Sequence, residues 1–327
     1  MTEGAPIRVA VLDDYQRAAM GLADWASLGP EVAVDVFDRP VPRAEAAARL
    51  APYAVLCLMR ERMPLEAELV SALPNLRLVV FTGGRTHSLD VAALAAAGVT
   101  VCHTRTGEGG VATAELAFAL ILACARHLPA EFARMREGRW QESIGTVLDG
   151  RTLGLVGLGR IGSRMARIGA AFGMVPVAWS PNLTPERAAA GGAALVSRET
   201  LFRDSDVVSL HLVLGPSTRG IVGATEIGLM RPDAILINTA RGPLIDEQAL
   251  IAALRERRLR AAGLDVFDQE PLPPDHPLRG LPNAVLTPHL GYVTGATYRM
   301  FYEDTVEAIA AWRRGAPIRV VAPVVSA

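Results

Sequence analysis

The chain has 327 residues, half of them apolar and a fifth charged, with a formal net charge of −1 and a mean hydropathy of +0.26. That length suits about two domains with substantial cores, and near-neutrality argues against an electrostatic grip on nucleic acid or an anionic membrane. No run reaches the ~18 to 20 apolar residues of a membrane span, the N-terminus lacks the layout of a signal peptide, and all 33 basic residues are Arg, which excludes chemistry built on a lysine amine.

From the N-terminus, short β-branched runs alternate with Ala/Leu-rich stretches. Residues 7–12, 32–37, 54–58, 78–81 and 99–102 read as strands, and 43–50, 65–73 and 89–97 as helices. Short apolar strands alternating with helices imply a parallel sheet covered on both faces. The rhythm then breaks for one long predicted helix over 112–137. Its first half, 114–124, is apolar almost all round, so it is expected to be buried or at a subunit contact. After a turn-rich link at 138–150 a second series follows, with strands at 153–156, 175–179, 193–196, 207–210, 234–238, 261–266 and 284–287 and helices at 160–172 and 247–258. A last helix at 294–312, with Thr294 as N-cap, precedes a short tail at 318–321. The second sheet is complete before that helix begins, so the helix is expected to return to the first domain. The fold class expected is α/β, with two doubly wound parallel-sheet domains. Cys57, Cys102 and Cys124 form no CxxC pair or zinc pattern; buried thiols, no metal and a reducing cytoplasmic setting are expected.

Residues 157–162 read Gly157-Leu158-Gly159-Arg160-Ile161-Gly162. A lone GxGxxG is weak, but this one follows an apolar strand and opens an amphipathic helix, as a dinucleotide site requires. Gly157 suits the tight turn, Gly159 a close approach to a pyrophosphate, and Gly162 the packing of helix on strand. The anion then sits at a helix N-terminus. The next strand ends in Ser180-Pro181-Asn182, where NAD sites usually carry Asp or Glu. Without that charge nothing repels a 2′-phosphate, and Arg160 or Arg187 could attract one. The expected cofactor is NAD(P)(H) with a lean to NADP(H). Ser180 and Asn182 could equally hydrogen-bond the ribose hydroxyls.

Three further segments fall at the carboxyl ends of later strands, where open α/β sheets bind ligands. They are Asn238-Thr239-Ala240-Arg241-Gly242, Leu264-Asp265-Val266-Phe267-Asp268-Gln269-Glu270-Pro271 and Thr287-Pro288-His289-Leu290-Gly291. They bring a guanidinium, carboxylates and an imidazole to one crevice. Together with Thr113-Ala114-Glu115, the glycine motif and the 211–219 loop, they give the chain a resemblance, over nearly its whole length, to the D-isomer-specific 2-hydroxyacid dehydrogenases.

The resemblance implies Arg241 as substrate clamp, Glu270 as partner of the histidine, and His289 as acid/base. It implies a flavodoxin-like substrate domain (1–108 with 293–327), a Rossmann dinucleotide-binding domain (109–292), and a homodimer. It places His211, Leu212 and Thr218 on the adenine side of the cofactor. Thr239, Ala240 and Gly291 fall nearer the nicotinamide, with Asp265 a nicotinamide-amide contact or a support behind one. The chemistry fits these roles. Reducing a 2-oxo acid needs a hydride at the carbonyl carbon and a proton at its oxygen, and an imidazole delivers protons near neutral pH. A neighbouring carboxylate stabilises the imidazolium, and Arg holds a carboxylate through paired donors.

Two departures from the family pattern stand out. Where members usually carry a glycine-rich segment for the substrate carboxylate, this chain has Thr82-Gly83-Gly84-Arg85. Gly83 and Gly84 suit close backbone approach. Arg85 either points away or adds a cation that favours a substrate with an extra anionic group, and Arg60 could reach the same mouth. Val213 stands where the family often has proline. Two other activities are consistent with the motifs: a dinucleotide-sensing regulatory binding protein on this fold, or a dehydrogenase of formate or phosphite.

Overall fold

A computed structural model describes residues 6–84, 88–107 and 110–322. The chain forms two compact units, Met1–Gly107 with Thr294–Ala327, and Glu108–Val293.

In the first unit the described strands are β1 (Ile7–Val11), β2 (Val32–Val36), β3 (Val55–Leu58), β4 (Leu78–Phe81) and β5 (Thr100–His103). They pair in parallel in the order β2-β1-β3-β4-β5, the flavodoxin-like arrangement. β3 and β4 are buried at every residue, as expected of strands covered on both faces. The helices are α1 (Ala19–Leu22), α2 (Arg43–Leu50), α3 (Ala67–Ser71) and α4 (Val91–Ala96). Asp90 caps α4 by accepting the Ala93 N–H, which fixes its start two residues later than the composition indicates.

The second unit opens with α5 (Val111–Ala125) and α6 (Leu128–Arg136), where one helix over 112–137 was expected. The two axes bend by 65°. His127 takes a left-handed conformation, φ +55, and Pro129 lies in the first turn of α6. A proline cannot donate to the carbonyl four residues back and clashes with it, so the helix must break here.

There follow β6 (Thr152–Val156), α7 (Arg160–Ala171), β7 (Val175–Trp179), α8 (Pro185–Ala190), β8 (Ala194–Leu195), α9 (Arg198–Asp204), β9 (Val207–Leu210), α10 (Ala224–Leu229), β10 (Ile235–Asn238), α11 (Glu247–Arg255), β11 (Ala261–Leu264) and β12 (Ala284–Leu286). The parallel sheet runs β12-β11-β10-β9-β6-β7-β8, the Rossmann order extended by one strand. Its switch point lies between β6 and β9. The chain then returns to the first unit as α12 (Gly295–Arg313), capped by Thr294 and packed on α1, β4 and β5. Arg105 clamps Asp304 of this helix through its backbone N–H and its guanidinium.

Cys57, Cys102 and Cys124 are buried and free. Burial pushes the Cys102 and Cys124 thiols up to about 11 and about 12, so they serve as core side chains. Among the described residues, no single helix is long and apolar enough to cross a membrane.

Candidate active site

β10, β11 and β12 are neighbours in the second sheet, so the loops leaving their carboxyl ends start side by side. Asn238 folds the first loop, donating to the Arg241 carbonyl at 2.8 Å and accepting the Ala240 N–H at 3.0 Å. The Arg241 guanidinium donates to the Ala240 carbonyl at 2.7 Å. Gly242 lies against the second loop so closely that a Cβ would fall 2.1 Å from the Phe267 carbonyl carbon. Any other residue would force the two loops apart.

In the second loop Glu270 accepts the Phe267 N–H at 3.0 Å and pairs through its other oxygen with His289 Nδ1 at 2.5 Å. Burial pushes the Glu270 carboxyl up. The His289 hydrogen bond and charge, the Phe267 amide and the Arg241 charge outweigh it and hold the group below the usual carboxylate range. An ionised Glu270 can only accept, so Nδ1 carries the hydrogen and Nε2 is left for proton transfer. The imidazole packs edge-on against Tyr292, with ring centroids 5.4 Å apart.

His289 sits at φ +55, a left-handed conformation that costs an L-residue about 1–2 kcal/mol. Asp265 holds it there. Its carbonyl accepts the His289 N–H at 2.9 Å. Its carboxylate accepts the Thr287 hydroxyl and the Leu290 and Gly291 N–H groups at 2.6–2.8 Å. Asp265 is fully buried and faces this loop with both oxygens. Of the two roles expected for it, the geometry supports the one behind the site. Thr113, on α5, donates to the Gly291 carbonyl at 2.8 Å.

The glycine motif turns from β6 into α7. Gly157 has φ +97, and a Cβ on Gly162 would fall 2.2 Å from the Gly157 carbonyl oxygen, so the helix start rests on the turn as the motif requires. Gly159 is the N-cap of α7 and no side chain caps it. The space beside its Cα is open, which leaves first-turn N–H groups facing a cradle that fits a pyrophosphate. Thr239 is 6% exposed, and its hydroxyl has no partner among the described residues. That orphaned buried group, at the end of β10, also fits a bound dinucleotide. Ile161 turns toward α5, and Leu158 and Arg160 flank the turn. Ala240 donates its N–H to Asn238.

At the end of β7 a depression of about 470 Å³ is lined by Trp179, Ser180, Pro181, Leu183, Leu195, Val196 and Ser197, with no carboxylate among them. Ser180 lies where the sequence placed it. Asn182 does not line the depression; its carbonyl accepts from Arg187 at 2.8 Å. The β8–α9 side of this wall was not legible in the sequence, although Ser197 announces itself as the N-cap of α9. Arg198 lies over the Trp179 ring, 5.3 Å from its centroid.

His211, after β9, hydrogen-bonds Ser209 through Nε2 at 2.9 Å. Desolvation pushes its imidazole down to about 4. Leu212 packs against Gly157. Thr218 spends its hydroxyl closing the 213–218 turn, donating to Val213 and accepting from Gly215.

In the first unit the N–H of Gly83, where close backbone approach is expected, is already engaged. Its N–H is donated to Thr104 Oγ1 at 2.9 Å. The Arg60 guanidinium covers it so closely that a Cβ would fall 1.7 Å from Nη1. Arg60 is itself left-handed, φ +56, and also donates to the Thr82 carbonyl at 3.3 Å. Gly84 is exposed. Arg85 lies outside the described residues.

Two parallel α/β units, one of them carrying a dinucleotide-type glycine turn beside an Arg, Glu and His group, define the class. Residues 118–291 match the family described as D-isomer specific 2-hydroxyacid dehydrogenase, NAD binding domain. The chain is 40% identical over 286 residues to D-3-phosphoglycerate dehydrogenase of Mycobacterium tuberculosis, an alignment covering 87% of this chain and 53% of that protein. It is 39% identical over 271 residues to glyoxylate reductase of Aeropyrum pernix, covering 80% of each. The solved phosphoglycerate oxidoreductase of Vibrio cholerae superposes with a TM-score of 0.89 at 36% identity, covering 95% of this chain and all of the other. This chain belongs to the D-isomer-specific 2-hydroxyacid dehydrogenases. It spans about half the length of the phosphoglycerate dehydrogenases it matches.

His211, half-buried but strongly desolvated, gives a signed pH dependence. Between pH 6.5 and about 4 the unfolded chain takes up a proton here that the folded chain refuses, so this group's contribution is complete above pH 6.5 and is lost as pH falls through that window. In urea unfolding, His211→Gln is expected to flatten the loss of stability between pH 6.5 and 4. An unchanged slope contradicts the assignment.

Proposed function

We propose that this chain is an NAD(P)-dependent dehydrogenase that interconverts a 2-oxo acid and its D-2-hydroxy acid. The 2.5 Å pairing of His289 with Glu270, within reach of the Arg241 charge, carries the proposal. A bound nicotinamide supplies the hydride to C2 of the substrate in reduction and accepts it in oxidation. Arg241 pairs with the substrate carboxylate and polarises the 2-oxo group. His289 gives its Nε2 proton to the 2-oxo oxygen during reduction and takes it back from the hydroxyl during oxidation. Glu270 stays ionised, fixes the ring through Nδ1 and stabilises the imidazolium. Asp265 holds the loop that carries His289.

For the cofactor, the Gly159 cradle at the start of α7 takes the pyrophosphate. The depression beside Ser180 takes the adenosine end. The absence of a carboxylate among its lining residues, with Arg187 anchored at Asn182, supports use of NADP(H) as well as NAD(H). The reducing cytoplasm, which suits three unpaired thiols, is the proposed compartment.

The proposed partner is a second copy of the chain. The apolar helix α5 buries Ala114, Ala117, Phe118, Leu120 and Ile121 within its own unit, so it does not mark the subunit contact. Surplus apolar surface lies just beyond it, where Phe132, Met135, Trp140, Ile144 and Val147 are exposed, Trp140 by 71% and Ile144 by 91%. Glu131, Glu137 and Glu142 balance Arg134, Arg136 and Arg139 along the same segment. An electroneutral apolar patch of this kind suits isologous docking on itself.

Three measurements test these proposals. Cofactor oxidation is followed with NADH and NADPH across glyoxylate, pyruvate, hydroxypyruvate and phosphorylated 2-oxo acids. Turnover of at least one acid is expected, with kcat/KM for NADPH at least equal to that for NADH. His289→Asn is expected to lower kcat in both directions by about 10²–10⁴-fold, the usual worth of a general acid–base; rates within a few-fold of wild type contradict the assignment. In analytical ultracentrifugation the wild-type chain is expected to sediment as a dimer, and Trp140→Glu with Ile144→Glu as a monomer. A dimer that survives both substitutions places the interface elsewhere.

A further inference from the structure

The first turn of α5 touches two parts of the proposed site that are far apart in sequence. At its start Gly110, φ +89, lies under Ile161 of the glycine motif, and a Cβ there would fall 2.5 Å from Ile161 Cγ1. One turn on, Thr113 Oγ1 donates to the Gly291 carbonyl at 2.8 Å. The same Gly291 gives its N–H to Asp265 at 2.8 Å. It is wedged between the two side chains, since a Cβ on it would lie 3.2 Å from the Asp265 carboxylate and 3.3 Å from Thr113 Cγ2. Its peptide groups are therefore gripped on both sides, by an acid from the β11 loop and a hydroxyl from α5.

Asp265 alone fixes the loop relative to the sheet. It does not relate the loop to the start of α7, which is where the pyrophosphate is proposed to bind. The α5 turn makes that connection. α5 packs on α7 and on β10, β11 and β12, so it is rigidly seated against both.

We propose that Thr113 is a positioning residue that sets the spacing between the pyrophosphate-binding turn and the His289 loop, and so the register of the imidazole against a bound nicotinamide. This inference rests on the proposed roles of His289 and of the glycine turn. Thr113 touches no reacting atom; it acts through Gly291, two residues beyond His289. Losing a neutral hydrogen bond of this kind corresponds to a several-fold effect on a rate that depends on alignment.

The test compares Thr113→Val, which keeps the shape and loses the hydroxyl, with Thr113→Ser, which keeps the hydroxyl. Amide hydrogen exchange on the full chain reads the clamp directly and needs no activity. Exchange at Leu290 and Gly291 is expected to speed up about three- to tenfold in Thr113→Val and to return toward wild type in Thr113→Ser. In steady-state reduction, Thr113→Val is expected to lower kcat about three- to tenfold while KM for the nicotinamide cofactor changes less than twofold, and Thr113→Ser is expected to recover most of the loss. Unchanged exchange in Thr113→Val overturns the clamp. Faster exchange with kcat unchanged, or a serine variant that behaves like the valine variant, overturns the positioning role. A wild-type chain that turns over no 2-oxo acid instead overturns the proposed activity, and the exchange result still decides the clamp.

Discussion

The hydrogen bond between His289 Nδ1 and Glu270 is the constraint on which the rest of the site depends. It fixes the tautomer, orients the ring and leaves Nε2 as the atom that can exchange a proton. It forms with His289 held in a left-handed conformation that a histidine does not favour. Asp265 offsets that cost with three hydrogen bonds accepted by its buried carboxylate and a fourth accepted by its carbonyl. A strained residue retained by surrounding over-determination is a recurrent property of functional sites.

Topology explains why the three loops meet. A parallel sheet sends every strand end of one kind to the same edge, and the order β12-β11-β10 makes the loops after these strands neighbours. The order reverses between β6 and β9, which opens the crevice into which the glycine turn faces. Gly242 then allows the Arg241 loop to lie directly on the Phe267 backbone, so a cation, an acid and an imidazole come together without any long side chain having to stretch.

Much of this was legible in the sequence, because strands buried on both faces read as short apolar runs and a glycine motif between strand and helix has one economical use. The strands of both sheets fell within a residue or two of prediction at most ends. The helix over 112–137 was overextended because apolar composition outweighed the signal of Pro129. The engagement of the Gly83 amide by Thr104, and the Arg60 guanidinium lying over that glycine, depend on three strands and leave no local mark. The same holds for Thr113 and Gly291, 178 residues apart. Asp265 was visible as part of a motif, but only its burial and its three donors identify which face of the site it serves. Sequence patterns report what each element buries; they do not report which polar groups from distant elements satisfy one another.

The most direct test of the central claim is kcat for 2-oxo acid reduction in wild type and in Glu270→Gln. An amide in place of the carboxylate no longer stabilises an imidazolium or fixes which ring nitrogen carries the hydrogen, so kcat is expected to fall by at least about tenfold. A kcat in Glu270→Gln equal to that of wild type would show that Glu270 does not govern the proton on His289, and would contradict the account.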